Sequence, residues 1–453
     1  MLFNSFIYLF LFLPIFFIIF FFIEKRIVSK FSILVANLIF YSWLNFKFVF
    51  IITFSVLINY FFSKFFLSED KKLPINKKSA LIIAILFNIS LLIFFKYLDF
   101  LIININYLFG SSFKEFILPF PLALSFFTLQ QITFLVNCYD KQIIKVKFID
   151  YFNYVSFFPQ LIAGPIVLFK DLNYKLNIKN RKINYSNIYK GLTFISIGLF
   201  KKIVIADNLF HLSDYGFTNL DNITIIDSWI ASTAFSLQFY FDFSGYADIA
   251  IGSALLFNIR LPINFNSPFK SVSVIDFWKR WHITLSNFIT NYMYFPLIKY
   301  FENKYFYNIF SIILVMTVAG IWHGPRWTYV IFGLMHGLAL SFNHLFNFRL
   351  NKIISIFITF IFVNFSFVFF NSKTINNALN MISKMFKFNN LEYNYNLNNI
   401  LFIFFAMIIV FCLKNSNKIF NIKPSFKNTF LIIILLIVSI FNLEEKRFIY
   451  FDF

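Results

Sequence analysis

The chain has 453 residues, 59% of them hydrophobic and 13% charged, with a mean hydropathy of +0.74. A soluble globule lies nearer about 45–50% apolar and about 25% charged, so a soluble fold is excluded and a polytopic membrane protein is expected. The formal charge of +20 does not mark a nucleic-acid partner, because the lysines are scattered through short loops and form no compact basic face with interleaved stacking aromatics.

A spanning helix needs about 20 apolar residues, and fewer when it is buried among neighbours. On that measure the spans fall near residues 3–23, 31–45, 48–66, 80–97, 98–110, 119–138, 190–206, 227–250, 306–322, 327–347, 352–371, 398–414 and 428–443. The segment from Met1 to Phe22 has no basic stretch and no small-residue cleavage site before Glu24, so it reads as a retained first helix rather than a signal peptide. Lys25, Arg26 and Lys30 follow the first span, and Lys71, Lys72, Lys77 and Lys78 the third. Both loops are therefore expected on the cytoplasmic side, with the N-terminus outside. The basic stretch from Lys170 to Lys190 reads as cytoplasmic too. Around 150–170 and 261–300, Gly164-Pro165, Pro262, Pro268 and Pro296 interrupt the helices. Irregular backbone at membrane depth must be shielded by protein or water, which makes the middle third the interior. The expected fold is an all-α bundle of about 11–13 spans with re-entrant segments. It reads as one domain over 1–453: peripheral helices 1–110, a core of about 119–347 and C-terminal helices 352–453.

Cys138 and Cys412 each lie inside an apolar segment and have no metal-ligand spacing, so neither a disulfide framework nor a metal site is expected. No nucleotide loop, dinucleotide fingerprint or Gly-x-Ser-x-Gly is present.

Chemistry concentrates downstream. Asp276, Lys279, Arg280 and His282 crowd into seven positions beside Trp278 and Trp281, although a charge near membrane depth costs about 2.5–3.5 kcal/mol. Ser273-Val-Ile-Asp276 has the form of a helix start. If that helix continues, Trp278, Trp281, His282 and Leu285 share one face and Lys279, Ile283 and Ser286 another. The plainer reading is an interfacial helix whose tryptophans sit at headgroup level. Pro325 should end the apolar run from Ile312 near His323, leaving an imidazole at a helix mouth. With an ordinary pKa of about 6.5, His323 can take a proton at neutral pH, or it can be a core histidine bonded to a carbonyl. Tyr329, His336 and His344 are its possible partners. Asp242 and Asp248 are six residues apart, too far round a helix to form an acid–base pair. Asp242, Ser244 and Tyr246, with Asp248, read instead as a buried polar network. Asn264-Phe-Asn266-Ser-Pro268 and Pro159-Gln160 to Pro165 read as shaped turns.

These stretches resemble the membrane-bound O-acyltransferases, and within them the bacterial alginate and polysaccharide O-acetyltransferases. The matching motifs run in the family's order: Pro119 to Gln130, Phe157 to Pro165, Gly198 to Asp207, Tyr240 to Tyr246, Asn264 to Pro268, Asp276 to His282, Trp322-His323-Gly324, His336-Gly337 and the terminal Phe448 to Phe453. The resemblance implies a multi-helix fold with a tunnel or funnel meeting near mid-membrane. There a cytoplasmic acyl thioester, acetyl-CoA, meets a hydroxyl of an exported polysaccharide, with a periplasmic acetyltransferase as partner and no bound cofactor. It implies His323 as catalytic histidine and His282 as second active-site position, on the inner membrane of a bacterium. Trp278, Lys279, Arg280, Trp281, Trp322 and His336 become candidate substrate contacts, Lys279 and Arg280 toward donor phosphates. Two departures, Thr290-Asn291 where the branch has Arg-Asp and Ile298-Lys299-Tyr300 where it has a Gly-Gly-Asn-Arg-like run, bear on the acceptor or partner surface. D-alanyl and peptidoglycan acyl transfer are sibling readings; a transporter or flippase is the competing class, since intramembrane ionisable groups also mark substrate paths. Enzyme chemistry at His323 further requires that its ring border a wet passage.

Overall fold

A computed structural model describes residues 1–23, 26–43, 45–68, 75–116, 118–162, 164–177, 182–302, 304–346, 350–387, 393–444, 446 and 448–449, without the side chains of 26–28. Glu24, Lys25, Lys71, Lys72, Ala163 and residues 178–181, 388–392 and 450–453, which enter the topology and motif readings above, lie outside that set.

The described residues form helices joined by turns and irregular stretches, with no strand among them. Among the described residues, four helices are long and apolar enough to cross a membrane: Lys47–Leu67, Lys77–Phe109, Tyr305–His323 and Lys352–Asn371. Shorter apolar helices run over Tyr8–Phe22, Ser29–Ser42, Leu397–Cys412 and Phe426–Phe441. Where two spans were expected at 80–97 and 98–110, one helical run continues through a π-turn at Ile93–Tyr97. No proline or glycine stands at that junction to break it. Another π-turn, Phe200–Ala206, follows Tyr185–Leu199 and holds Lys201 and Lys202. The interrupted stretch 261–300 becomes a chain of short pieces, Pro268–Lys270, Val274–Trp278, Ile283–Phe288, Ile289–Tyr294 and Phe295–Tyr300.

The chain divides into two units, Met1–Ile195 with Ile249–Pro262, and Ser196–Asp248 with Ile263–Phe453. In the first, polar side chains tie apolar helices together. Asn59 and Asn88 exchange amide hydrogen bonds (3.2 and 2.7 Å). Gln131 Oε1 accepts from Asn59, from Ser55 Oγ (3.2 Å) and from Tyr151 OH (3.3 Å). Between helices of equal apolarity such bonds and close packing take the place of the hydrophobic drive.

In the second unit, Tyr305–His323 and Trp327–Leu345 form a tight hairpin. A Cβ on Gly320 would stand 2.3 Å from the Tyr329 carbonyl and 2.8 Å from Gly333 Cα, so only glycine lets these backbones meet. Gly320→Val should therefore force the hairpin apart at a cost of about 1–3 kcal/mol or more. The check is thermal unfolding of the purified protein in detergent together with its yield in membranes; wild-type values for both would contradict this packing.

Candidate active site

Local backbone geometry decides where the candidate residues point. Ser273 Oγ accepts from the Asp276 amide (3.1 Å), so the expected helix start is present. That helix stops at Trp278, however, and a new one begins at Ile283. His282 between them has φ +42°, the left-handed region, which ends any continuous helical face. The shared face expected for Trp278, Trp281, His282 and Leu285 is thus absent. The turn is pinned by the facing segment: Asn266 N–H donates to Arg280 O and Ile283 N–H to Asn264 O, both at 2.9 Å.

His282 is 1% exposed. Its Nδ1 faces Asn264 Oδ1 at 3.2 Å, and Phe243 meets its ring edge-on at 4.8 Å. Trp281 is buried against Phe239, Phe265 and Phe277. Lys279 is exposed, whereas Arg280 is tied through Nε to Asp276 Oδ1 (2.8 Å).

Pro325 disfavours helix at the residue before it, and the Tyr305–His323 helix does end there, with Gly324 extended. A Cβ on Gly324 would lie 2.5 Å from the Tyr329 ring, so glycine lets that ring close over the turn. His323 ends up 4% exposed, with Trp322 at 5.2 Å, Phe370 at 5.1 Å and Phe332 at 6.1 Å. With so little of the residue exposed, this aromatic setting differs from the expected wet border.

The two imidazoles share one aromatic wall. Phe243 packs on His282 and Phe370 on His323, while Phe239 lies 6.4 Å from Phe243 and 4.8 Å from Phe370.

His336 has a different situation. Trp278 Nε1–H donates to its Nδ1 (3.2 Å), so Nε2 carries the proton of the neutral ring and donates to Ser366 Oγ (3.0 Å). Ser366 passes its own hydrogen to Val363 O (2.7 Å). Both His336 nitrogens and the Trp278 indole N–H are thereby used inside the protein, which leaves none of them for the substrate contact expected of them. His344 is exposed near the far end of the helix.

Asp242 and Asp248 serve separate lysines. Lys202 Nζ lies 2.6 Å from Asp242 and 2.8 Å from Asp207, and Lys201 Nζ 2.6 Å from Asp248, which also accepts from Ser416 (2.9 Å). Asp242 further accepts from the Ile449 amide (2.9 Å). Ser244 is buried on the same helix, and Tyr246 sits beneath the Lys202 ammonium at 6.0 Å. The expected Asp242–Ser244–Tyr246 network omits the lysines that neutralise it. Their signal was visible, a Lys-Lys pair inside the apolar run from Leu199 to Ala206.

A cavity of about 1040 Å³ in this unit is lined by Val272 to Ile275, Ile309, Ile313, Ser341, Phe362 and neighbours; neither His282 nor His323 is among its lining residues.

The model of the MBOAT, membrane-bound O-acyltransferase family matches residues 119–380. The chain is 38% identical to the peptidoglycan O-acetyltransferase of Helicobacter pylori, over 100% of this chain and 98% of the relative. It is 32% identical to the probable alginate O-acetylase AlgI of Pseudomonas aeruginosa, over 86% of this chain and 75% of the relative. With the teichoic acid D-alanyltransferase of Bacillus subtilis it shares 28% identity, over 56% and 69%.

Removing Lys202 leaves two buried carboxylates without their shared cation. Lys202→Met should destabilise the protein by about 3–5 kcal/mol, the usual scale for breaking a buried pair from one side. Unfolding in detergent checks this, and a variant as stable as the wild type would show that the triad carries no structural weight.

Proposed function

The chain belongs to the membrane-bound O-acyltransferase family, and from that premise we propose that it moves an acetyl group from a cytoplasmic thioester, acetyl-CoA, toward hydroxyls of an exported cell-envelope glycan. It is an O-acyltransferase embedded in a membrane by apolar helices. The observation that carries the choice of acceptor is the similarity along the whole chain to a relative named peptidoglycan O-acetyltransferase. The relatives named alginate O-acetylase and D-alanyltransferase cover less of it. Peptidoglycan is accordingly the acceptor we favour. A periplasmic acetyltransferase completes the transfer in this reading, and the protein sits in the bacterial cytoplasmic membrane with its N-terminus outside.

In the proposed reaction, His323 draws the proton from an acceptor hydroxyl as the oxygen attacks the thioester carbonyl. The C–O bond forms, the C–S bond breaks, and the imidazolium returns its proton to the departing thiolate. Positioned proton transfer of this kind contributes about 10²–10⁴-fold. His282 holds a substrate or steadies developing charge, and Lys279 and Arg280 face donor phosphates. Because His323 is 4% exposed, the thioester reaches it only when a ring such as Trp322 or Phe370 swings aside. The same rings then exclude water that would hydrolyse the donor.

Deleting the gene and restoring it as wild type or His323→Ala tests this. Ester-linked acetate on purified peptidoglycan should vanish on deletion, return with the wild type and stay absent with the variant, while membrane levels of the two proteins match. Acetate that persists in the deletion strain would sink the reading; its loss from another surface glycan instead would overturn the acceptor alone.

A further inference from the structure

We propose that Asn264 is a positioning residue that fixes the proton of His282 on Nδ1 and so presents the Nε2 lone pair to the substrate. Asn264 is 1% exposed, and its Oδ1 sits among three groups: the Thr284 amide at 3.2 Å, Thr284 Oγ1 at 3.0 Å and His282 Nδ1 at 3.2 Å. A backbone N–H can only donate, so the atom it meets is the carbonyl oxygen of the Asn264 side chain and not the amide nitrogen. An amide oxygen can only accept, so the imidazole nitrogen facing it carries the hydrogen. A neutral ring has one such hydrogen, and Nε2 is left as an acceptor.

The backbone holds this arrangement independently of the side chains. Ile283 N–H donates to Asn264 O (2.9 Å), Asn266 N–H donates to Arg280 O (2.9 Å), and the positive φ at His282 swings its ring back toward residue 264. Phe243, edge-on at 4.8 Å with an interplanar angle of 89°, keeps the ring from tilting away. Asn264 Nδ2 is buried and bonds to none of the described residues. The oxygen therefore does the work of this side chain, and an aspartate in its place would meet the same three donors.

The consequence refines the role of His282 and in that respect rests on the acyl-transfer reading. A neutral ring protonated at Nδ1 has no hydrogen on Nε2 to give to a forming oxyanion. It accepts instead from a hydroxyl of the acceptor glycan beside the one that reacts, which makes His282 the group that orients the acceptor. The two chemical tasks are then divided: His282 holds that neighbouring hydroxyl by its hydrogen, and His323 removes the proton of the reacting hydroxyl during attack. His336, with the proton on Nε2 by the argument above, is the opposite tautomer within the same unit.

The test is nitrogen NMR of ¹⁵N-histidine-labelled full-length protein in lipid nanodiscs, with the His282 signals identified by their loss in His282→Gln. In the wild type, His282 should show a protonated Nδ1 and an unprotonated Nε2. Asn264→Ala should lose that preference and lower glycan acetate roughly 100-fold, the upper end of the effect of losing an orienting contact and below the ~10⁴-fold of a wrong tautomer. Asn264→Asp should restore both the tautomer and most of the acetate, a rescue that loss of bulk packing would not permit. A wild-type spectrum with the proton on Nε2 overturns the proposal even if the alanine variant fails to accumulate, as does an alanine variant that keeps the Nδ1–H form. A correct tautomer in a protein whose deletion leaves all glycan acetate unchanged would uphold this inference and defeat the functional reading instead.

Discussion

One ammonium between two carboxylates anchors the helix on which the candidate site is built. Lys202 faces Asp207 and Asp242 inside an apolar unit, where an unmatched charge would cost several kcal/mol. Pairing offsets much of that penalty, and it ties Ile225–Leu256 to the turn at Phe200–Ala206. Phe239 and Phe243 lie on either side of Asp242 along that helix: Phe243 packs on His282, and Phe239 on Phe370, which in turn packs on His323. The charge triad and the aromatic wall are two consequences of one helix setting.

The three buried histidines of this unit show how the partners of a ring decide its use. His336 has both nitrogens engaged by Trp278 and Ser366 and acts as a hydrogen-bonded strut. His282 is engaged on Nδ1 by an acceptor, which leaves its other nitrogen as a hydrogen-bond acceptor. His323 stands at a helix end forced by Pro325, with the aromatic rings of Trp322 and Phe370 beside it.

Much of this was legible in the sequence. Helix positions followed from the lengths of apolar runs, the end of the helix at His323 from Pro325, and the start at Val274 from Ser273. The order of the motifs points to the acyltransferase family. Other features were not legible, each for a physical reason. The break at His282 depends on a left-handed φ in a residue that is not glycine, which is stabilised by pairing with residues 264–266, distant in sequence. The lysine partners of Asp242 and Asp248 lie 40 and 47 residues upstream, beyond helical periodicity. Asn264 reads as a turn residue because its function lies in an oxygen aimed at a ring 18 positions away. The closed setting of His323 arises from Phe370, on a helix the local motif does not include.

The central claim is that His323 meets an activated acyl group inside this aromatic enclosure. The most direct measurement is a cryo-electron microscopy structure of the full chain in nanodiscs with a non-transferable thioether analogue of acetyl-CoA. The account predicts the carbonyl carbon of the analogue beside the His323 imidazole, with room for an alcohol oxygen about 3–3.5 Å from that carbon and with Trp322 or Phe370 turned from its present position. An analogue bound elsewhere, with the ring still sealed by both aromatics, would contradict it.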